Sequence, residues 1–131
     1  MSYDRLLDVL RSRVPGLVAV YVFGSSETGG AHPASDLDLA VLAATRIDAM
    51  TRWELQGALA SSAGRSVDLV DLRSASTVMR MQVVSTGRVL FASDRAEVDR
   101  FEMYVLADYC RLNEERRAIL DDVKRRGRVY A

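Results

Sequence analysis

The chain has 131 residues, 49% hydrophobic and 27% charged, enough for one domain whose core needs neither disulfides nor a structural metal. Eighteen basic residues balance eighteen acidic ones, so no global charge recommends a nucleic acid or a membrane surface as partner. Cys110 and His32 are each the only residue of their kind, which excludes an intramolecular disulfide, a Cys-rich zinc site and multi-His metal sites.

Met1 to Val14 is punctuated by Asp4, Arg5, Asp8, Arg11 and Arg13, which argues against a secretory leader. No apolar run approaches the roughly 18 residues of a membrane span, so a cytoplasmic location is expected. All basic residues but Lys124 are Arg. Arg suits bidentate phosphate recognition, but codon bias explains the excess more simply.

Tyr3, Leu6, Leu7, Leu10 and Val14 recur at helical spacing, with Ser2 as N-cap and Pro15-Gly16 as stop. Leu17 to Phe23 is short and rich in Val and aromatics, the composition of a buried strand. Glu27 to Ser35 holds Gly29-Gly30 and Pro33 and reads as a loop; Leu37 to Leu42 reads as a second strand. Arg46 to Ala63 carries Met50, Trp53, Leu55, Ala58 and Leu59 on one helical stripe, with Gly64 as stop. The stripe predicts that Trp53 packs between helix and sheet.

Val67 to Leu72 reads as a third strand. Ser74 or Ser76 caps a helix running to Gly87, and Arg88 to Phe91 forms a short fourth strand. From Asp94 to about Arg126, Val98, Phe101, Val105, Tyr109, Leu112, Ile119 and Val123 follow one helical face, a pattern that admits a break near Asn113. The order predicts a single α/β (α+β) domain over 1–131: a small mixed sheet flanked by helices, a core of about 6–91, and a helical segment over about 94–126.

The chemistry concentrates between the first two strands. Val18 to Phe23 runs into Gly24-Ser25, and after ten intervening residues Asp36-Leu37-Asp38 opens the next apolar run. A Gly-Ser turn after a strand offers backbone N–H groups to a phosphate. In a strand, residues i and i+2 share a face, so Asp36 and Asp38 point the same way. Two carboxylates that close repel unless a cation intervenes, and Mg²⁺ is usually held by a few carboxylates and substrate phosphates. Asp68 and Asp71 sit in the third strand, where an unpaired charge is costly. Three apart, they face opposite sides. At most one joins the first pair, and Asp68, nearer the strand's start, is preferred; Asp71 is read as a strand-end or capping residue.

With those residues in hand, the chain resembles the minimal nucleotidyltransferases of the DNA polymerase β superfamily over roughly Leu6 to Phe91. Gly24, Ser25, Asp36, Asp38 and Asp68 match that family's Gly-Ser, Asp-x-Asp and later acidic residue. The resemblance implies a polymerase-β-like fold and Mg²⁺-dependent nucleotidyl transfer. Gly24 and Ser25 would bind nucleotide phosphates. Asp36, Asp38 and Asp68 would be the catalytic metal ligands, holding two Mg²⁺ ions, with Asp68 helping to deprotonate the acceptor. Such transfer needs neither His nor Cys.

A stand-alone chain of this size is similar to the antitoxin half of HEPN/MNT toxin–antitoxin pairs. That resemblance implies adenylylation: AMP from ATP onto a tyrosine of a cognate HEPN ribonuclease toxin encoded nearby. The alternatives are a non-catalytic binding antitoxin and an aminoglycoside or other small-molecule nucleotidyltransferase, for whose acceptor site little chain remains after Phe91. The chain is not itself the HEPN nuclease, whose Arg-x(4–6)-His motif it lacks: no basic residue lies four to seven positions before His32. Direct nucleic-acid binding and membrane association are not expected. His32 is read as an incidental loop residue, Tyr109 as core, and Tyr104 as a residue open to a partner. The Lys124 to Arg128 basic run is read as a solvated helix end. Arg46, Arg65 and Arg80 remain unranked candidates for triphosphate contacts.

Overall fold

The computed structural model describes residues 3–24 and 36–130. Four helices and four strands follow one another along them: α1 (Asp4–Arg13), β1 (Leu17–Phe23), β2 (Leu37–Ala43), α2 (Ala49–Ala63), β3 (Val67–Asp71), α3 (Thr77–Thr86), β4 (Arg88–Ala92) and α4 (Arg95–Tyr130). The strands form one mixed sheet in the order β3-β2-β1-β4. β1 lies antiparallel to both β2 and β4. β2 and β3 are parallel, which requires a crossover, and α2 supplies it.

Each face of the sheet carries its own apolar layer. Val20 and Val22 of β1, Leu37, Leu39 and Val41 of β2, and Val67 and Leu69 of β3 pack against Leu6 and Leu10 of α1 and Leu55 and Leu59 of α2. The alternate residues Tyr21, Phe23, Ala40 and Leu42 pack on the other side against Val83 of α3 and Val98 of α4. β1 and β2 are buried on both faces, which is why they read as continuous apolar runs rather than alternating ones. A buried leucine such as Leu39 stabilises the fold by about 1.5–3 kcal/mol.

Element ends follow local chemistry. α1 closes where Pro15-Gly16 follows, and its first residue has no side-chain cap; Ser2 lies outside the described residues. α2 begins at Ala49, three residues later than the sequence pattern predicts, because Asp48 is its cap. The Asp48 carboxylate accepts from Thr51 N (2.8 Å) and Thr51 Oγ1 (3.0 Å). These bonds hold its pKa below the ordinary carboxylate range. Of the two serines before α3, Ser76 is the cap, accepting from Met79 N.

β3 is an edge strand, and α2 shields it. Gln56 Oε1 accepts from Leu69 N (2.9 Å), and Arg52 Nη1 donates to Leu69 O (3.4 Å). The outward backbone groups at Leu69 are thus taken by side chains, which blunts edge pairing.

α4 is continuous through Asn113. Its first half is pinned to β1: the Tyr21 hydroxyl donates to Glu102 Oε2 at 2.9 Å. Burial, then this carboxylate, raise the Tyr21 pKa well above its ordinary value. Val98 and Val105 are buried, as the stripe predicts, but Ile119 and Val123 are exposed. The reason is length. A 36-residue helix extends about 54 Å, far beyond a sheet of five- to seven-residue strands, so its later apolar residues find no surface to cover.

The predicted burial of Trp53 and Met50 fails too. Trp53 is 71% exposed and Met50 64%. α2 turns only Leu55 and Leu59 fully inward, because it lies along the edge of β3 rather than across the middle of the sheet.

Candidate active site

β1 ends at Gly24, where φ is +78°, a conformation that L-residues avoid. A Cβ there would collide with the Asp38 carboxylate. Phe23 and Asp38 are partners across β1 and β2, so the turn after β1 lies directly against the start of β2. The glycine at this point is what allows the backbone and the carboxylate to approach. Ser25, the second half of the motif, and the 27–35 loop with His32 lie outside the described residues.

Along β2, Leu37 and Leu39 are fully buried in the α1/α2 layer. Asp38 therefore points to the opposite face, the face of Ala40 and Leu42. Along β3, Val67 and Leu69 join the same apolar layer, which sends Asp68 the other way. The parallel register sets Asp38 directly beside Asp68. Asp36, exposed at the mouth of β2, completes the group. Burial and the negative charges of Asp68 and Asp36 raise the Asp38 pKa, while Arg65 opposes them. These four residues therefore form one electrostatic unit. The chain brings Gly24, Asp36, Asp38 and Asp68 to one corner of the sheet.

Asp71 lies elsewhere, as its spacing from Asp68 predicts. It is 5% exposed and points into the α2 side. Its carboxylate accepts from Ile47 N (3.0 Å), Arg73 N (3.1 Å) and Ser74 Oγ (2.6 Å). It ties together the loops that follow β2 and β3.

Of the three arginines left unranked by the sequence, Arg65 alone acts on this corner. Arg80 donates through Nε to Leu72 O (2.7 Å) and through Nη2 to Arg73 O (2.9 Å), bracing the start of α3. Arg46 lines a cleft with Pro15, Ile47 and Thr51.

The donor set suits a hard divalent cation: carboxylate oxygens only, with mutual repulsion for a cation to relieve. Among the described residues no three acidic, Cys or His side chains already converge as a closed ligand group, so a bound ion would have to draw Asp36, Asp38 and Asp68 inward.

A cleft of about 670 Å³ opens beside this corner, on the outer side of β3. Asp36 and Asp68 form one wall; Trp53, Glu54 and Gln56 of α2 form the other. Sequence reasoning missed this role of Trp53, because an aromatic on an apolar stripe carries no mark of whether anything covers it. The one local signal was Gln56, a polar residue amid apolar ones, which the edge of β3 explains.

A mixed β3-β2-β1-β4 sheet with acids at the mouths of two parallel strands beside a glycine turn is the arrangement of a nucleotidyltransferase. The family model described as Polymerase beta, Nucleotidyltransferase matches residues 5–96, and the chain belongs to that family. Within it, the chain is similar to protein adenylyltransferase MntA of Shewanella oneidensis, 43% identical over 123 residues, 94% of this chain and 88% of that protein. Two solved structures extend the likeness to the whole fold. One is a crystal structure of a toxin–antitoxin with AMP-PNP, with TM-score 0.85 and 43% identity over 94% of this chain and 98% of that chain. The other is tri-AMPylated Shewanella oneidensis HEPN toxin in complex with MNT antitoxin, with TM-score 0.78 and 42% identity over 92% of this chain and 93% of that chain.

Proposed function

We propose that this chain is an antitoxin nucleotidyltransferase that transfers AMP from ATP to a tyrosine of a cognate HEPN ribonuclease toxin and so neutralises it. One observation carries the proposal. The acids Asp36, Asp38 and Asp68 meet at one corner beside the Gly24 turn, in a chain 43% identical over nearly its whole length to a protein adenylyltransferase.

The roles are those that the family resemblance implies. Gly24 and Ser25 hold the leaving phosphates through backbone N–H groups and the serine hydroxyl. Asp36, Asp38 and Asp68 would hold two Mg²⁺ ions. Bound Mg²⁺ neutralises charge on the attacking and leaving oxygens. Asp68 takes the proton of the acceptor hydroxyl as its oxygen bonds to the α-phosphorus and pyrophosphate departs. Arg65 steadies the charge of the acids between turnovers. Much of the rate then comes from alignment and from neutralised phosphate charge. Residues 1–131 act as one domain. No helix among the described residues is long and apolar enough to cross a membrane.

Co-expression tests the reading. The wild type should rescue cells from the HEPN protein encoded beside it. Asp36→Asn with Asp38→Asn should still co-purify with that protein yet fail to rescue. Full rescue by the double variant would mean that contact alone neutralises, and would contradict the proposal.

A further inference from the structure

The in-line course of nucleotidyl transfer gives the cleft beside β3 a role. Attacking and leaving oxygens must lie on opposite sides of the α-phosphorus. The Gly24 turn ends β1, the carboxylates of Asp36 and Asp38 open β2, and Asp68 lies on β3. The sheet order β3-β2-β1 therefore sets up a line. Pyrophosphate departs on the β1 side, so the acceptor arrives from the β3 side. Two clefts lined by Asp68 lie along β3; the one lined by Asp36, Trp53, Glu54, Gln56, Ser66 and Asp68 also reaches Asp36 and so opens on two of the three acids.

We propose that this cleft is the entry for the acceptor tyrosine of the partner protein, with the indole of Trp53 as the surface on which the incoming segment packs. The inference rests on the adenylylation reading and adds the acceptor half of the site. Two properties favour an acceptor over the nucleotide as occupant. Beyond Asp36 and Asp68, which the proposed reaction assigns to the metal ions, the cleft carries the carboxylate of Glu54 and, among the described residues, no basic side chain, which disfavours a phosphate and welcomes a neutral or basic peptide. The largest apolar surface in it, Trp53, is 71% exposed and offers an aromatic face for a phenol ring or its flanking residues. Gln56 and Arg52 already occupy the outward backbone groups of Leu69, so the segment is held by side-chain packing rather than by adding a strand to the sheet.

The test compares Trp53→Ala and Trp53→Phe with wild type, using the HEPN protein encoded beside this chain as acceptor. Both variants should fold, since the side chain is solvent-facing. Trp53→Ala should raise the KM for the acceptor by about tenfold or more, the scale of a tryptophan anchor. Trp53→Phe should recover most of that loss. The affinity for AMP-PNP with Mg²⁺ should stay within about twofold of wild type. An unchanged acceptor KM in Trp53→Ala overturns the inference. So does a loss of AMP-PNP affinity without a change in acceptor KM, which would make the cleft a base-binding surface. Absence of AMP transfer by the wild type overturns the adenylylation reading itself, and the inference with it; transfer with an unaltered KM overturns the inference alone.

Discussion

Replacing Asp38 by Asn should make the protein more stable while abolishing its activity. Asp38 stands in register with Asp68 on the neighbouring strand, and strands lie about 4.8 Å apart. Two unit charges about 6 Å apart repel by about 3 kcal/mol at an effective dielectric of 20, and by less than about 1 kcal/mol in water. Asp38 is partly buried and Asp68 exposed, so the pair lies nearer the water limit, and removing one charge without changing side-chain volume should gain about 0.5–1 kcal/mol. For a chain of this size that raises Tm by roughly 2–4 °C.

The Asp38 pKa is raised in the folded state above its ordinary value of 3.8, by burial first and by Asp68 and Asp36 next. Its contribution is therefore fully present below that ordinary value and is lost as pH rises through the folded value. The advantage of Asn should be absent near pH 3 and should open towards pH 7. Thermal unfolding by circular dichroism in EDTA, at low salt and across this range, reads it directly. Added Mg²⁺ should raise the Tm of wild type more than that of the variant. An Asn variant no more stable than wild type at pH 7, or a gain that persists at pH 3, would refute the electrostatic reasoning.

Asp68→Ala and Asp71→Ala should fail in opposite ways. The first removes an exposed acid and should abolish AMP transfer with little change in urea midpoint. The second strands the donors at Ile47, Arg73 and Ser74 and should cost about 2–4 kcal/mol, with transfer per folded molecule largely retained. Tyr21→Phe loses the hydrogen bond to Glu102 and should cost about 1–2 kcal/mol in urea unfolding. Because the Tyr21 pKa is raised, its contribution holds below its ordinary value of 10.0 and fades above it. The stability gap between wild type and Tyr21→Phe should therefore narrow in strongly alkaline buffer.

β1 and β2 were legible because burial on both faces writes a continuous apolar run, and β1 falls on Leu17–Phe23 as the pattern predicts. The shared facing of Asp36 and Asp38 was legible from the two-residue period of a strand. The pairing of Asp38 with Asp68 was not, because register across a helical crossover depends on α2 and on packing far away in sequence. Helical periodicity has a parallel blind spot. It names the face that Trp53, Ile119 and Val123 share with buried neighbours, but not where the covering surface ends. Arg65 could not be told from Arg46 or Arg80 for the same reason: three similar side chains are separated only by where the chain later folds.

The central claim is most directly tested by the intact mass of the HEPN protein encoded beside this chain, after incubation with purified protein, ATP and Mg²⁺. A mass increase by whole AMP units, localised to tyrosine and absent with Asp36→Asn plus Asp38→Asn, is the predicted result. An unchanged mass, with the toxin nevertheless silenced, would contradict it.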